Sequence, residues 1–83
     1  MPKAIPDEGG FKFRFFSNEN NESPHVHVFK GNAAFPKAKY WLTPKPVLEY
    51  SEGFTVQENR RIEDIIERTY KIMIGKWNTH FKK

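Results

Sequence analysis

Phe11-Lys12-Phe13-Arg14-Phe15-Phe16 alternates aromatic and basic residues, and His25-Val26-His27-Val28-Phe29 alternates imidazoles with valines. A strand turns successive side chains to opposite faces, so each run predicts a strand with one apolar and one polar side. Ala38 to Thr43 reads as a third strand, bounded by Pro36 on one side and by Pro44 and Pro46 on the other. Val47 to Ser51 reads as a fourth whose facing is ambiguous, since Leu48 and Tyr50 would go inward and Glu49 outward. Ser17 to Pro24, rich in Asn, Ser and Glu, predicts a turn or hairpin loop between the first pair. From Thr55 onward the period changes. Thr55-Val56-Gln57-Glu58 has the spacing of a helix capping box, in which the Thr hydroxyl accepts the Glu amide and the Glu carboxylate reaches back. Ile62, Ile65, Ile66, Thr69, Tyr70, Met73, Trp77 and Phe81 then recur at helical spacing, which predicts a single helix of about 25 residues with one apolar stripe.

Together these elements predict an α+β fold, a small, mostly antiparallel sheet of about four strands packed against one long C-terminal helix. Met1 to Gly10 reads as a loose N-terminal arm and residues 11–83 as a single domain. Phe11, Phe13, Phe15, Val26, Val28, Ala38, Tyr40 and Leu42 are the expected core face beneath the helical stripe. The opposite face collects Lys12, Arg14, Phe16, His25, His27, Phe29, Lys39 and Trp41, a mixture of positive charge and aromatic rings. Glu58, Glu63, Asp64 and Glu67 early in the helix, with Lys71, Lys76, Lys82 and Lys83 late in it, suit the helix dipole.

Composition narrows what such a domain does. With 83 residues, most apolar side chains are needed for the core. The chain has no cysteine, which removes disulfides, zinc-thiolate sites and thiol catalysis and fits a reducing compartment. No stretch approaches the roughly 20 apolar residues of a membrane span, and the first ten residues hold no signal-like apolar run, so a cytoplasmic protein without membrane contact is expected. The formal charge of +4 is a moderate excess whose meaning depends on its placement.

Lys12, Arg14, Phe16, Lys39 and Trp41 are the candidate binding residues. Cations for phosphates and rings for bases are what single-stranded nucleic acid recognition uses, and aromatics with Arg are equally what a protein interface uses. His25 and His27 are the candidate catalytic pair. Two imidazoles on one strand face have Cα atoms about 6.5–7 Å apart and can act as acid and base in RNA cleavage without metal, with Arg14, Lys39 or Lys12 holding phosphate. The bland alternative makes them hydrogen-bonded fixtures that orient the preceding loop. A third makes them metal ligands, for which Glu19, Glu22, Glu49 or His80 would have to fold nearby. The expectation is no metal and no cofactor. No phosphate-binding Gly-rich loop or serine nucleophile motif is present, which argues against nucleotide-driven chemistry.

The run Phe15-Phe16-Ser17-Asn18-Glu19-Asn20-Asn21-Glu22-Ser23-Pro24-His25-Val26-His27-Val28, then Lys39-Tyr40-Trp41-Leu42 and Trp77-Asn78-Thr79-His80-Phe81, resembles the small bacterial family catalogued as domain of unknown function 4160. The resemblance covers nearly everything from Phe11 onward, with Ser23 standing where the family's motif has its first proline. It implies a toxin-like component of a two-protein, toxin-antitoxin type module, held by a small neutralising protein encoded nearby, and the accompanying expectation is action on RNA or on nucleic-acid machinery. A metal-independent ribonuclease is then the leading enzymatic option. A non-enzymatic regulatory module, binding nucleic acid or protein through the basic, aromatic sheet face, is the alternative. The family supplies no assured catalytic residues to carry over.

Overall fold

Five antiparallel strands in the order β1-β2-β3-β4-β5 form a meander, each pairing with the next along the chain. They are β1 (Lys3–Glu8), β2 (Phe11–Arg14), β3 (His25–Lys30), β4 (Ala38–Trp41) and β5 (Val47–Ser51), followed by helices α1 (Val56–Arg68) and α2 (Tyr70–Phe81). These elements come from a computed structural model that describes residues 3–16 and 22–81. Most of the loop read over Ser17 to Pro24, and with it Glu19, lies outside the described residues.

The α+β class agrees with the sequence reading, and three of its details are corrected. The first residues are not a loose arm: Lys3–Glu8 is an edge strand on β2, with Ile5 opposite Phe13 and Glu8 opposite Phe11. Gly9 and Gly10 have φ of +64° and +85°, so they form the turn between Glu8 and Phe11. Positive φ at both central positions matches the right-handed twist of a hairpin, and glycine adopts it without steric cost. Pro6 is tolerated because an edge strand leaves one side of its ladder unpaired.

The long helix is two helices. Thr69 leaves helical geometry at φ −107°, ψ +13°, although its N–H still donates to the Ile65 carbonyl. Its hydroxyl donates to the same carbonyl at 2.7 Å, and such back-bonding by a β-branched residue distorts a helix locally. Gly75, a residue of low helix propensity, lies inside α2 and away from this break. At the start of α1 the capping box forms as expected, Glu58 N–H donating to Thr55 Oγ1 at 3.1 Å and Thr55 N–H to the Glu58 carboxylate at 2.9 Å.

The third correction concerns β5. Leu48 and Tyr50 do not point into the core: they are 41% and 38% exposed, as is Val47 beside them. The partner of Lys39 is Tyr50 and that of Tyr40 is Leu48, so two steps along β5 oppose one along β4, and this bulge breaks the alternation. The remaining apolar set packs as predicted. Phe11, Phe13, Phe15, Val26, Val28, Ala38, Tyr40 and Leu42 are buried with Ile62, Ile65 and Ile66 of α1 and Met73 and Trp77 of α2. Tyr40 carries its hydroxyl through this core to the Glu63 carboxylate, 3.2 Å away. Burial, and then the nearby Glu63 charge, push the phenol pKa up.

Candidate functional site

Register places the candidate residues on one face of the sheet. Arg14 lies opposite His27 and His27 opposite Lys39, so these three form a row across β2, β3 and β4. Lys12 faces Phe29 in the row on one side, and His25 faces Trp41 in the row on the other. The imidazole centroids are 5.3 Å apart, and Phe16, just beyond β2, reaches the same cluster. The chain therefore brings all seven candidate residues together, as period-two alternation predicts.

What alternation does not reveal is how this face is covered. His27 is 5% exposed, with Phe16 stacked flat on its ring at 3.9 Å and 7°. His25 is 0% exposed, and its ring meets Trp41 at 5.4 Å and Trp77 of α2 at 5.1 Å. His25 Nδ1 lies 2.8 Å from the Ser23 carbonyl oxygen. A carbonyl only accepts, so Nδ1 carries the hydrogen in this geometry.

The cations of the face have partners within the chain. Arg14 donates to Asp7 of β1 at 2.9 Å and to the Phe13 carbonyl at 3.1 Å. Lys39 donates to Glu22 at 2.9 Å while its ammonium sits 4.4 Å from the centre of the Trp41 ring, and Lys12 donates to Asn32 at 3.3 Å. Trp41 Nε1–H in turn donates to Glu49 at 2.7 Å. Asp7 and Glu22 are the residues that sequence reasoning missed in these roles, Asp7 because its strand was read as a loose arm.

Glu22 is the electrostatic hub. Its carboxylate also lies 3.9 Å from His25 Nδ1. Its pKa is lowered, chiefly by the Lys39 hydrogen bond, against opposing desolvation, with further help from the Lys39 charge and from both histidines. A depressed folded-state value means that the pair stabilises fully above the ordinary carboxyl value of 4.5 and that this contribution is lost as pH falls through the lower, folded value. Thermal melts of wild type and Lys39→Met between about pH 7 and about pH 2 are therefore expected to converge at the acidic end. A melting-temperature difference that stays constant with pH would mean that Lys39 acts through packing on Trp41 instead.

The site offers no ready cation cage. Among the described residues no group of three or more His, Cys, Asp or Glu is placed to hold a metal ion. No helix among them is long and apolar enough to cross a membrane.

Residues 10–78 match the family described as domain of unknown function, DUF4160. The chain belongs to the DUF4160 family. No curated protein and no solved structure matches it. The DUF4160 match ends within α2 and begins at the hairpin turn, so β1 lies before the matched region. Asp7, which neutralises Arg14, is therefore supplied from outside the DUF4160 segment.

Proposed function

We propose that this DUF4160 chain is a non-enzymatic binding module, one component of a two-protein pair, that is held by a small protein partner at the β5 edge of its sheet. The observation that carries this reading is β5 itself, an edge strand on which Val47, Leu48 and Tyr50 are all exposed. An edge of this kind presents unpaired backbone donors and acceptors and favours strand addition by a partner. The neighbouring outer face adds Trp41, and two of its three cations, Arg14 and Lys39, are neutralised within the chain, which suits a protein interface better than a phosphate backbone.

Chemistry on RNA is the less favoured reading. Acid-base catalysis needs imidazoles within hydrogen-bond reach of the reacting oxygens, and here both rings are enclosed by Phe16, Trp41 and Trp77. A toxin-like action of the pair then lies in what the module occupies, not in a bond that it breaks.

The test is calorimetric titration of the full chain with the small protein encoded beside it. Wild type is expected to form a complex, and Leu48→Asp or Tyr50→Asp to weaken it by at least about tenfold, or ~1.4 kcal/mol. Leu48 is 41% exposed, so the melting temperature of the free Leu48→Asp variant should hold. Absence of a complex, a complex indifferent to these substitutions, or a wild-type homodimer built on β5 would each defeat the proposal.

A further inference from the structure

At the sheet edge opposite β5, a groove of about 530 Å³ runs between β1 and α2, with Lys3 on one bank and Lys71, Lys76 and His80 on the other. We propose that this groove binds the phosphate backbone of a single-stranded nucleic acid. The proposal goes beyond the protein-binding reading and uses a separate surface.

Charge placement is the first argument. The sixteen residues from Arg68 to Lys83 contain five Lys or Arg and no carboxylate, whereas the 67 before them contain nine basic and ten acidic residues. The whole positive excess of the chain is thus concentrated around α2. Among the described residues Arg14 pairs with Asp7, Lys30 with Glu58, Lys39 with Glu22 and Arg68 with Glu8, while Lys12, Lys37, Lys45, Arg60 and Arg61 form no ion pair. Lys3, Lys71 and Lys76 likewise have no ion pair among the described residues, and they share one groove whose lining holds no carboxylate. Like charges gathered without counter-ions repel one another, and a polyanion relieves that repulsion while releasing its own condensed ions.

Shape is the second. The groove flanks the side of α2, where backbone amides are consumed by the helix, so it lacks the convergent N–H donors that a small free anion uses. Cations on two banks instead suit a chain of phosphates. Ile72, 54% exposed, and the exposed His80 ring also line the groove, apolar and flat surfaces against which bases can rest. Gly75 leaves the floor open: a Cβ built there meets nothing within 4 Å.

The experiment is fluorescence anisotropy of a labelled oligouridylate with the full chain across salt concentrations. Wild type is expected to bind at low salt, and Lys71→Gln with Lys76→Gln to lower the slope of log affinity against log salt by about 1.4, two single-strand contacts at about 0.7 each. Gly75→Leu should weaken binding severalfold without lowering the melting temperature, since leucine is the better helix former and its side chain fills open space. Lys45→Gln, on the loop before β5, should change neither slope nor affinity. Lack of binding at low salt, or a slope unchanged in the double variant, would overturn the proposal. So would displacement by polyglutamate or inorganic phosphate at charge equivalence, or equal affinity for duplex.

Discussion

Replacing Trp77 by alanine is expected to cost about 3–5 kcal/mol of unfolding free energy, the largest effect of any single truncation in this chain. Trp77 is 1% exposed and sits where three parts of the fold meet. Its indole is edge-on to Phe15 of the sheet at 5.3 Å and 89°, 5.1 Å from the His25 ring and 4.1 Å from Phe81. A helix as short as α2, with glycine inside it, is not stable by itself in water, and of its residues only Met73 and Trp77 are buried. Removing the indole therefore withdraws the main anchor of α2 as well as opening a cavity. Small domains hold a total stability near the lower end of about 5–15 kcal/mol, so much of the population would unfold. Urea denaturation of Trp77→Ala beside Ile72→Ala checks this, because Ile72 is exposed on the same helix and should stay within about 0.5 kcal/mol of wild type. A Trp77→Ala midpoint indistinguishable from that of Ile72→Ala would show that α2 is not docked through its indole.

Trp77 also marks the boundary of what the sequence made legible. Its membership of the apolar stripe follows from spacing alone, as do the core positions of Ile62, Ile66 and Met73 and the capping box at Thr55 and Glu58. The two faces of β2 and β3 were equally legible, because Phe-Lys-Phe-Arg and His-Val-His-Val each alternate without interruption. Strand β1 escaped because Ala4 and Ile5 are adjacent apolar residues, Pro6 follows them, and register shifts on either side of Ile5 remove any alternation to detect. Its one clear signal was Gly9-Gly10, a two-residue turn preference that acquires meaning only if a strand precedes it. The interruption at Thr69 had no Pro or Gly to announce it, since its cause is a hydroxyl bonded to the carbonyl of Ile65.

The candidate site was legible as a set of neighbours and illegible as an environment. Period two assigns His25, His27, Lys39 and Trp41 to one face, and the register agrees. Whether an imidazole on that face meets water depends on side chains far away in the chain, and Trp77 reaches His25 from 52 positions later. In the same way Asp7 and Glu22 turn Arg14 and Lys39 from available cations into satisfied ones, and neither pairing has a sequence spacing that announces it. The groove between β1 and α2 depends on a strand that alternation missed, so Lys3 joins Lys71 and Lys76 only in three dimensions.

The histidines supply the second large effect. His25→Ala is expected to lose about 1–3 kcal/mol for the stranded Ser23 carbonyl alone, with a further loss from the hollow left among Trp41, His27 and Trp77. His25→Asn should recover part of the first loss, because the Asn amide N–H₂ stands close to where Nδ1–H donates to Ser23 and cannot replace the ring's packing. His27→Gln should be milder, with its principal loss the stacking on Phe16. Assaying RNA turnover on the same purified proteins, with each rate referred to the folded fraction, separates a structural from a chemical role. A binding module gives no metal-independent cleavage above background from wild type, and stability is the property that varies across the series. A wild type that cleaves RNA, together with a folded His27→Gln protein slowed by about 10²- to 10⁴-fold, would restore the acid-base pair and require Phe16 to swing off the imidazole during turnover.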